Sequence, residues 1–187
     1  MDLQKDLSDS QIVLMVIPCA TYNDATVEVM KQLLGKNVCY VTLNKTYHAL
    51  KEQFEKKGID LANVFFIDVI SKTTKSLPDM IDNCYFISSP SALTDISIAI
   101  TTVLEQLNEV ENEQSYLIFD SLTTMMIYQK EESMIKFIQS LIMQIKTTKI
   151  KSLFYTLDSE EQKDIIKQVQ MLVDRVAYWD GGGSKQE

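Results

Sequence analysis

The chain has 187 residues, a formal net charge of −8, 45% apolar and 24% charged residues, enough for one domain with a full hydrophobic core. The acidic balance opposes a broad grip on nucleic-acid phosphates, which needs clustered Lys and Arg, and Arg175 is the only arginine among 18 basic residues, which leaves bidentate phosphate recognition almost no material. Five glycines and three prolines exclude collagen-like and low-complexity classes.

The opening "MDLQKDLSDSQ" lacks the basic and long apolar regions of a leader, and no later apolar run approaches a membrane span. The expected organisation is a polar N-terminal arm at 1–10, a single domain at 11–180 and a flexible tail at 181–187, in the cytoplasm and with no membrane partner. Cys19, Cys39 and Cys84 lack the paired spacing of zinc or redox motifs, so buried thiols in a reducing compartment are expected.

Within the domain, short apolar β-rich runs alternate with helical periodicity, the pattern of an α/β fold with a mainly parallel sheet. The strand segments are "QIVLMVI", "NVCYVTL", "NVFFIDV", "CYFIS", "SYLIFD", "SLFYTL" and "DRVAYW". Several are apolar at nearly every position, as strands covered on both faces are. Helices are expected over Ala25–Leu34, Tyr47–Lys57, Pro90–Leu107, Glu131–Lys146 and Glu160–Leu172. Ser89 is placed to cap the third with Pro90 at its first position, and Ser159 and Gln162 stand at capping-box spacing before the fifth. The polar stretch Ser71 to Asn83, interrupted by Pro78, reads as a long exposed loop with room for one helical turn. "NEVENEQ" (108–114) reads as an acidic connection.

The connection after the first strand carries the main question. Between such a strand and helix a phosphate-binding loop has G-x-x-x-x-G-K-S/T, because glycine lets backbone N–H groups curl around phosphate and lysine neutralises its charge. Here stand Pro18, Cys19, Ala20, Thr21, Tyr22, Asn23, Asp24 and Ala25. Asn23 or Asp24 is a candidate cap for the following helix, and Glu28 adds negative charge near its start, so the chain's own groups compete there with an anion.

Asp120 ends the strand "SYLIFD". An aspartate at that place either holds magnesium beside phosphates, as in nucleotide hydrolases, or caps the turn that follows. Asp68 and Asp158 also stand at strand ends, but a response-regulator phosphoacceptor site needs an acidic pair after the first strand, where this chain has Pro18 and Cys19; against such a site, separate turn and cap roles are the plainer account of all three. His48, the only histidine, has no partner at ligand or triad spacing. Cys19 reads as a packing residue. In "TMMIYQKEESMIKFIQSLIMQIK", Met134, Ile135, Ile138, Leu141, Ile142 and Ile145 follow helical spacing, whereas Met125, Met126, Ile127 and Tyr128 fit less easily into one core and suit a protein contact.

The segments "YVTLNKTYHALKEQ" and "SSPSALTDISIAI" and the Asp120 strand, in this order, resemble the core of the RecA superfamily. The likeness is to archaeal KaiC-like or RadA-like ATPase relatives, in particular members that have lost the phosphate loop, and it runs from about Gln11 to Asp180. It implies a three-layer α/β/α core with the loops after "VLMVI" and "LIFD" near each other at the strands' carboxyl ends. It also implies a catalytic glutamate just after "CYVTL", where this chain has Asn44 and Lys45, neither of which accepts a proton from water at neutral pH. One carboxylate, Asp120, without a P-loop hydroxyl should hold magnesium weakly.

The expectation is therefore a pseudo-ATPase with no catalytic residues, resident metal or cofactor. It would act in signalling or as an accessory subunit, self-associated or paired with a RecA/KaiC-like protein. Two alternatives are a Mg-ATP-binding ATPase with a non-standard loop and a DNA-recombination accessory, the latter opposed by the charge.

Overall fold

The computed structural model describes residues 7–109 and 113–181. Eight strands form one sheet: β1 (Ile12–Ile17), β2 (Asn37–Thr42), β3 (Val64–Asp68), β4 (Met80–Ile81), β5 (Cys84–Phe86), β6 (Ser115–Asp120), β7 (Lys151–Leu157) and β8 (Arg175–Tyr178). Their order across the sheet is β4-β5-β3-β2-β6-β7-β1-β8. Every neighbouring pair is parallel except β4 with β5.

The helices are α1 (Tyr22–Gln32), α2 (Tyr47–Glu55), α3 (Leu93–Asn108), α4 (Leu122–Tyr128), α5 (Glu131–Ile145) and α6 (Lys163–Gln170). Strand alternation sorts them into two layers. On β1, Ile12, Leu14 and Val16 join the core built with α3 to α6. Val13, Met15 and Ile17 join the other core, built with α1 and α2. All six residues of β1 and of β2 are buried, which is why those runs carry no polar alternation. In the α1/α2 layer Tyr40 packs against Phe54 and Phe66, with ring centroids 5.9 and 5.7 Å away. Burying each phenylalanine there contributes about 1.5–3 kcal/mol.

All seven expected strand segments contain strands. The stretch Ser71 to Asn83 opens with a 3-10 turn (Ser71–Thr73), within the expectation of a loop with room for one helical turn, but it also holds β4, which was not expected. Two residues are too few to show alternation, and the β4–β5 turn is made by Asp82 at φ 50°, a conformation Asp tolerates better than most side chains. A further correction is α4, a seven-residue helix within the run where no helix was expected. Its β-branched and aromatic residues have weak helix propensity, and burial of Leu122 and Met125 stabilises it.

The caps also differ from expectation. The third helix starts at Leu93 with Ala92 at its N-cap and no side-chain cap bond; Ser89 Oγ accepts from Ser91 N (3.1 Å) and so holds the preceding turn. Ser159 precedes a 3-10 turn, Glu160–Gln162, without a side-chain cap bond, and the Gln162 side chain lies outside the described residues. So do 110–112 of the acidic connection and 182–187 of the tail. Within the segment expected as a polar arm, Leu7 is buried in the α1/α2 core, and Lys151 Nζ donates to the carbonyls of Leu7 and Ser8.

At the amino ends of the strands, Asp174 Oδ2 accepts from the N–H groups of Gln11 (3.0 Å) and Ile12 (2.9 Å). The opposite end of the sheet gathers the loops after β1, β2 and β6.

Candidate functional site

The loop after β1 is closed on itself. Pro18 enters at φ −60°, the range its ring imposes, and a 3-10 turn over Cys19–Thr21 follows. Thr21 N donates to Pro18 O (3.1 Å), and Thr21 Oγ1 donates to the same carbonyl (3.3 Å). The turn runs directly into α1 at Tyr22, three residues before the helix was expected, with Thr21 at the N-cap and no side-chain cap bond. Neither Asn23 nor Asp24 caps the helix, and both side chains are exposed. Cys19 and Ala20 are exposed, and Ala25 is buried. The expectation of Cys19 as a packing residue is corrected: Cys39 and Cys84 are buried, Cys19 is not.

Asp120 lies at the centre, 1% exposed. Its Oδ1 accepts from the Tyr22 hydroxyl, delivered by the first turn of α1, and its Oδ2 accepts from the Tyr40 hydroxyl at 2.6 Å, delivered by β2. The Asp120–Ser121 peptide is cis. A third phenol, Tyr155 on β7, is fully buried with no hydrogen-bond partner for its hydroxyl. Its ring meets that of Tyr22 edge to face, centroids 6.3 Å apart.

Burial pushes the Asp120 carboxyl above its usual range, opposed by the Tyr22 and Tyr40 hydrogen bonds and by the charge of Lys45. Burial, then the Asp120 charge, raises the Tyr22 and Tyr40 hydroxyls as well. Both phenols therefore remain donors, and one carboxylate site is enclosed by two hydroxyls and aromatic surface.

Lys45 stands above this group. Its Nζ donates to Asn23 Oδ1 (2.7 Å) and to Gln53 Oε1, tying the β2–α2 loop to the start of α1. Partial burial lowers its pKa, with the Asp120 charge acting in the opposite sense. Thr42 Oγ1 donates to Lys45 O (2.6 Å) and accepts from Lys45 N (3.3 Å). Asn44 is exposed and accepts from Thr124 Oγ1 (3.4 Å). The structure thus brings together Tyr22, Asn23, Asn44, Lys45 and Asp120, as residues at the carboxyl ends of β1, β2 and β6.

The other carboxylates stand apart. Asp68, fully buried, accepts from Tyr47 N (2.7 Å), Ile70 N (2.9 Å), Ser71 N (2.8 Å) and Ser71 Oγ (2.5 Å), a turn and cap role. Asp158 is exposed, as is His48, whose ring lies 5.3 Å from that of Tyr47. Among the described residues no group of three or more His, Cys, Asp and Glu is placed to hold a metal ion.

Sequence reasoning named Tyr22 only as an occupant of the phosphate-loop position and missed Tyr40 and Tyr155. The available signal was alternation: Thr42 pairs with Asp120 and Tyr40 with Ile118, so Tyr40, Ile118 and Asp120 share the face that meets α1. Nothing in the local sequence indicated that Tyr22 would begin the helix and reach across to that face.

A mainly parallel sheet covered by helices on both sides, with these loops at its carboxyl edge, defines a three-layer α/β/α domain. The chain belongs to the family of unknown function DUF7504, whose profile matches residues 16–178. No curated protein matches it significantly. Among solved structures it is similar to the KaiC-like protein PH0186 from the archaeon Pyrococcus horikoshii OT3, with TM-score 0.56 and 13% identity over 79% of this chain and 61% of that one. It is also similar to the uncharacterized protein PH0321 from Pyrococcus horikoshii in complex with an unknown peptide, with TM-score 0.69 and 12% identity over 94% and 81%. The chain thus spans about three fifths of the KaiC-like protein's length. At these identities the likeness is one of fold. No helix among the described residues is long and apolar enough to cross a membrane.

Proposed function

We propose that this chain is a non-catalytic KaiC-like domain, of the archaeal phosphate-loop-lacking type, that works through protein contacts in signalling or as an accessory subunit. The observation that carries the reading is the double engagement of Asp120 by Tyr22 and Tyr40. Magnesium needs open oxygen ligands in near-octahedral geometry; here phenol donors point at the oxygens a cation would require. The residues do not fit Mg-ATP in a second respect. Thr21 N, which a phosphate cradle would use, bonds Pro18 O, and Lys45 is engaged by Asn23 and Gln53.

PH0321 was solved with a peptide, and on this reading the present chain also binds a polypeptide. Self-association or pairing with an intact KaiC-like protein are the assemblies expected.

The test is thermal unfolding with millimolar Mg-ATP. A ligand at a hundred times its Kd stabilises by about 2.7 kcal/mol, roughly a 5–10 °C rise for a chain of this size. No rise is expected. A rise of that size in the wild type overturns the reading in favour of a nucleotide-binding protein with a non-standard loop.

A further inference from the structure

At the β4–β5 end of the sheet, the face shared with α3 is only partly covered. Tyr85 on β5 packs half-buried against the α3-side core. Met80 stands opposite it in the antiparallel register, so it projects from the same face, and it is 45% exposed. Ile98 on α3 is 60% exposed. Between α3 and the hairpin runs a groove of about 290 Å³ whose apolar wall includes Tyr85, Ile98 and Ala99 and whose charged groups are Lys72, Asp79 and Asp95.

The charges are unequal in availability. Lys72 is bonded to Asp79 and its side chain is largely covered, whereas the Asp79 side chain is almost fully exposed. Asp95 is also exposed. On α3, Asp95, Ile98 and Thr102 stand at i, i+3 and i+7, one stripe running along the groove. The volume lies at the lower limit for small-molecule pockets and suits one or two amino-acid side chains.

We infer that this groove docks an amphipathic helix of a partner protein that carries Lys or Arg beside its apolar stripe. The inference rests on the reading of the chain as a protein-interaction module and names the surface and the partner class. Charge complementarity selects the occupant: Lys72 and Asp79 pair with each other, which leaves the exposed carboxylate of Asp95 as the net charge of the wall, so a basic partner is attracted and a second copy of this chain, with net charge −8, is opposed at this groove. Strand addition is disfavoured because β4 has only two residues, which supply few ladder bonds. A helix laid beside α3 uses the apolar stripe instead.

The test is titration of the full chain with a synthetic helical peptide bearing leucines at i, i+4 and i+7 flanked by lysines, and with the same peptide carrying Glu for Lys, followed by backbone amide shifts. Ile98→Asp and Asp95→Lys are made in parallel; both sites are exposed, and circular dichroism checks their folding. The expected result is binding of the basic peptide with shifts confined to α3 and the β4–β5 hairpin. Ile98→Asp should weaken it roughly tenfold or more, and Asp95→Lys should weaken the basic peptide while admitting the acidic one.

The inference is overturned by equal binding of the two peptides, by shifts elsewhere, by an Ile98→Asp variant that binds as the wild type does, or by no binding. A concentration-dependent dimer that Ile98→Asp disrupts also overturns it, by making a second copy the occupant. The Mg-ATP unfolding experiment decides the non-catalytic reading independently of these titrations.

Discussion

Asp120 shows how its neighbours decide what a carboxylate at a strand end can do. A carboxylate at the end of a parallel strand is exposed to ligands when the loops around it are open; here Tyr22 and Tyr40 close it. Removing either donor leaves a buried oxygen without its partner, which costs about 1–3 kcal/mol. Tyr22→Phe and Tyr40→Phe should each lower the urea midpoint by a corresponding amount, and the double variant should be non-additive because both bond one carboxylate. Additive losses would show that the two hydroxyls act separately.

The same residue gives a pH dependence. Burial raises the folded-state pKa of Asp120 above the unfolded value near 3.9. The folded state therefore holds the proton more tightly. That contribution is fully present below the unfolded pKa and is lost as pH rises through the folded pKa. Asp120→Asn cannot titrate there, so the stability of wild type relative to the variant should be greatest below about pH 4 and fall as pH rises toward neutrality in parallel denaturation series. At this scale legibility was uneven. Asp120, Asn44 and Lys45 were readable because strand ends are marked by apolar runs. Tyr40 and Tyr155 were not, since a tyrosine within an apolar strand looks like ordinary core until its neighbours across the sheet are known.

At the scale of elements, Asp68 joins the end of β3 to the start of α2 and to the following turn through four donated hydrogen bonds. Asp68→Ala would strand all four donors and should cost about 3–5 kcal/mol, the range for breaking a buried charged network, read from chemical denaturation. Within α4, Met125 is fully buried and Ile127 is 75% exposed. Met125→Ala should cost about 2–5 kcal/mol, and Ile127→Ser should stay within about 0.5 kcal/mol, in the same measurement. The long buried strands and amphipathic helices were readable because their periodicity repeats over several turns or pleats. β4 and α4 were not: one is two residues long, and the other is short and stabilised by burial more than by propensity. The start of α1 was displaced for a related reason, since the 3-10 turn after Pro18 delivers the chain directly into the helix without a capping side chain.

For the whole molecule, the layers follow from strand alternation, and the proposed assembly follows from the function. Light scattering on a sizing column should show a species larger than one chain, alone or with a KaiC-like partner, unchanged by Mg-ATP. A strict monomer that engages no such partner would remove that expectation.

The sheet order has a mechanical consequence. β1 and β8 are parallel neighbours, joined from Val13–Arg175 to Val16–Tyr178, and they lie near opposite ends of the chain. A stretching force applied to the two termini pulls these strands past each other lengthwise, so their ladder bonds share the load and must break together. A single-molecule pulling experiment from the termini should give one cooperative high-force rupture, whereas an attachment moved from the C-terminus to the loop before β8 would peel the strand open bond by bond at lower force.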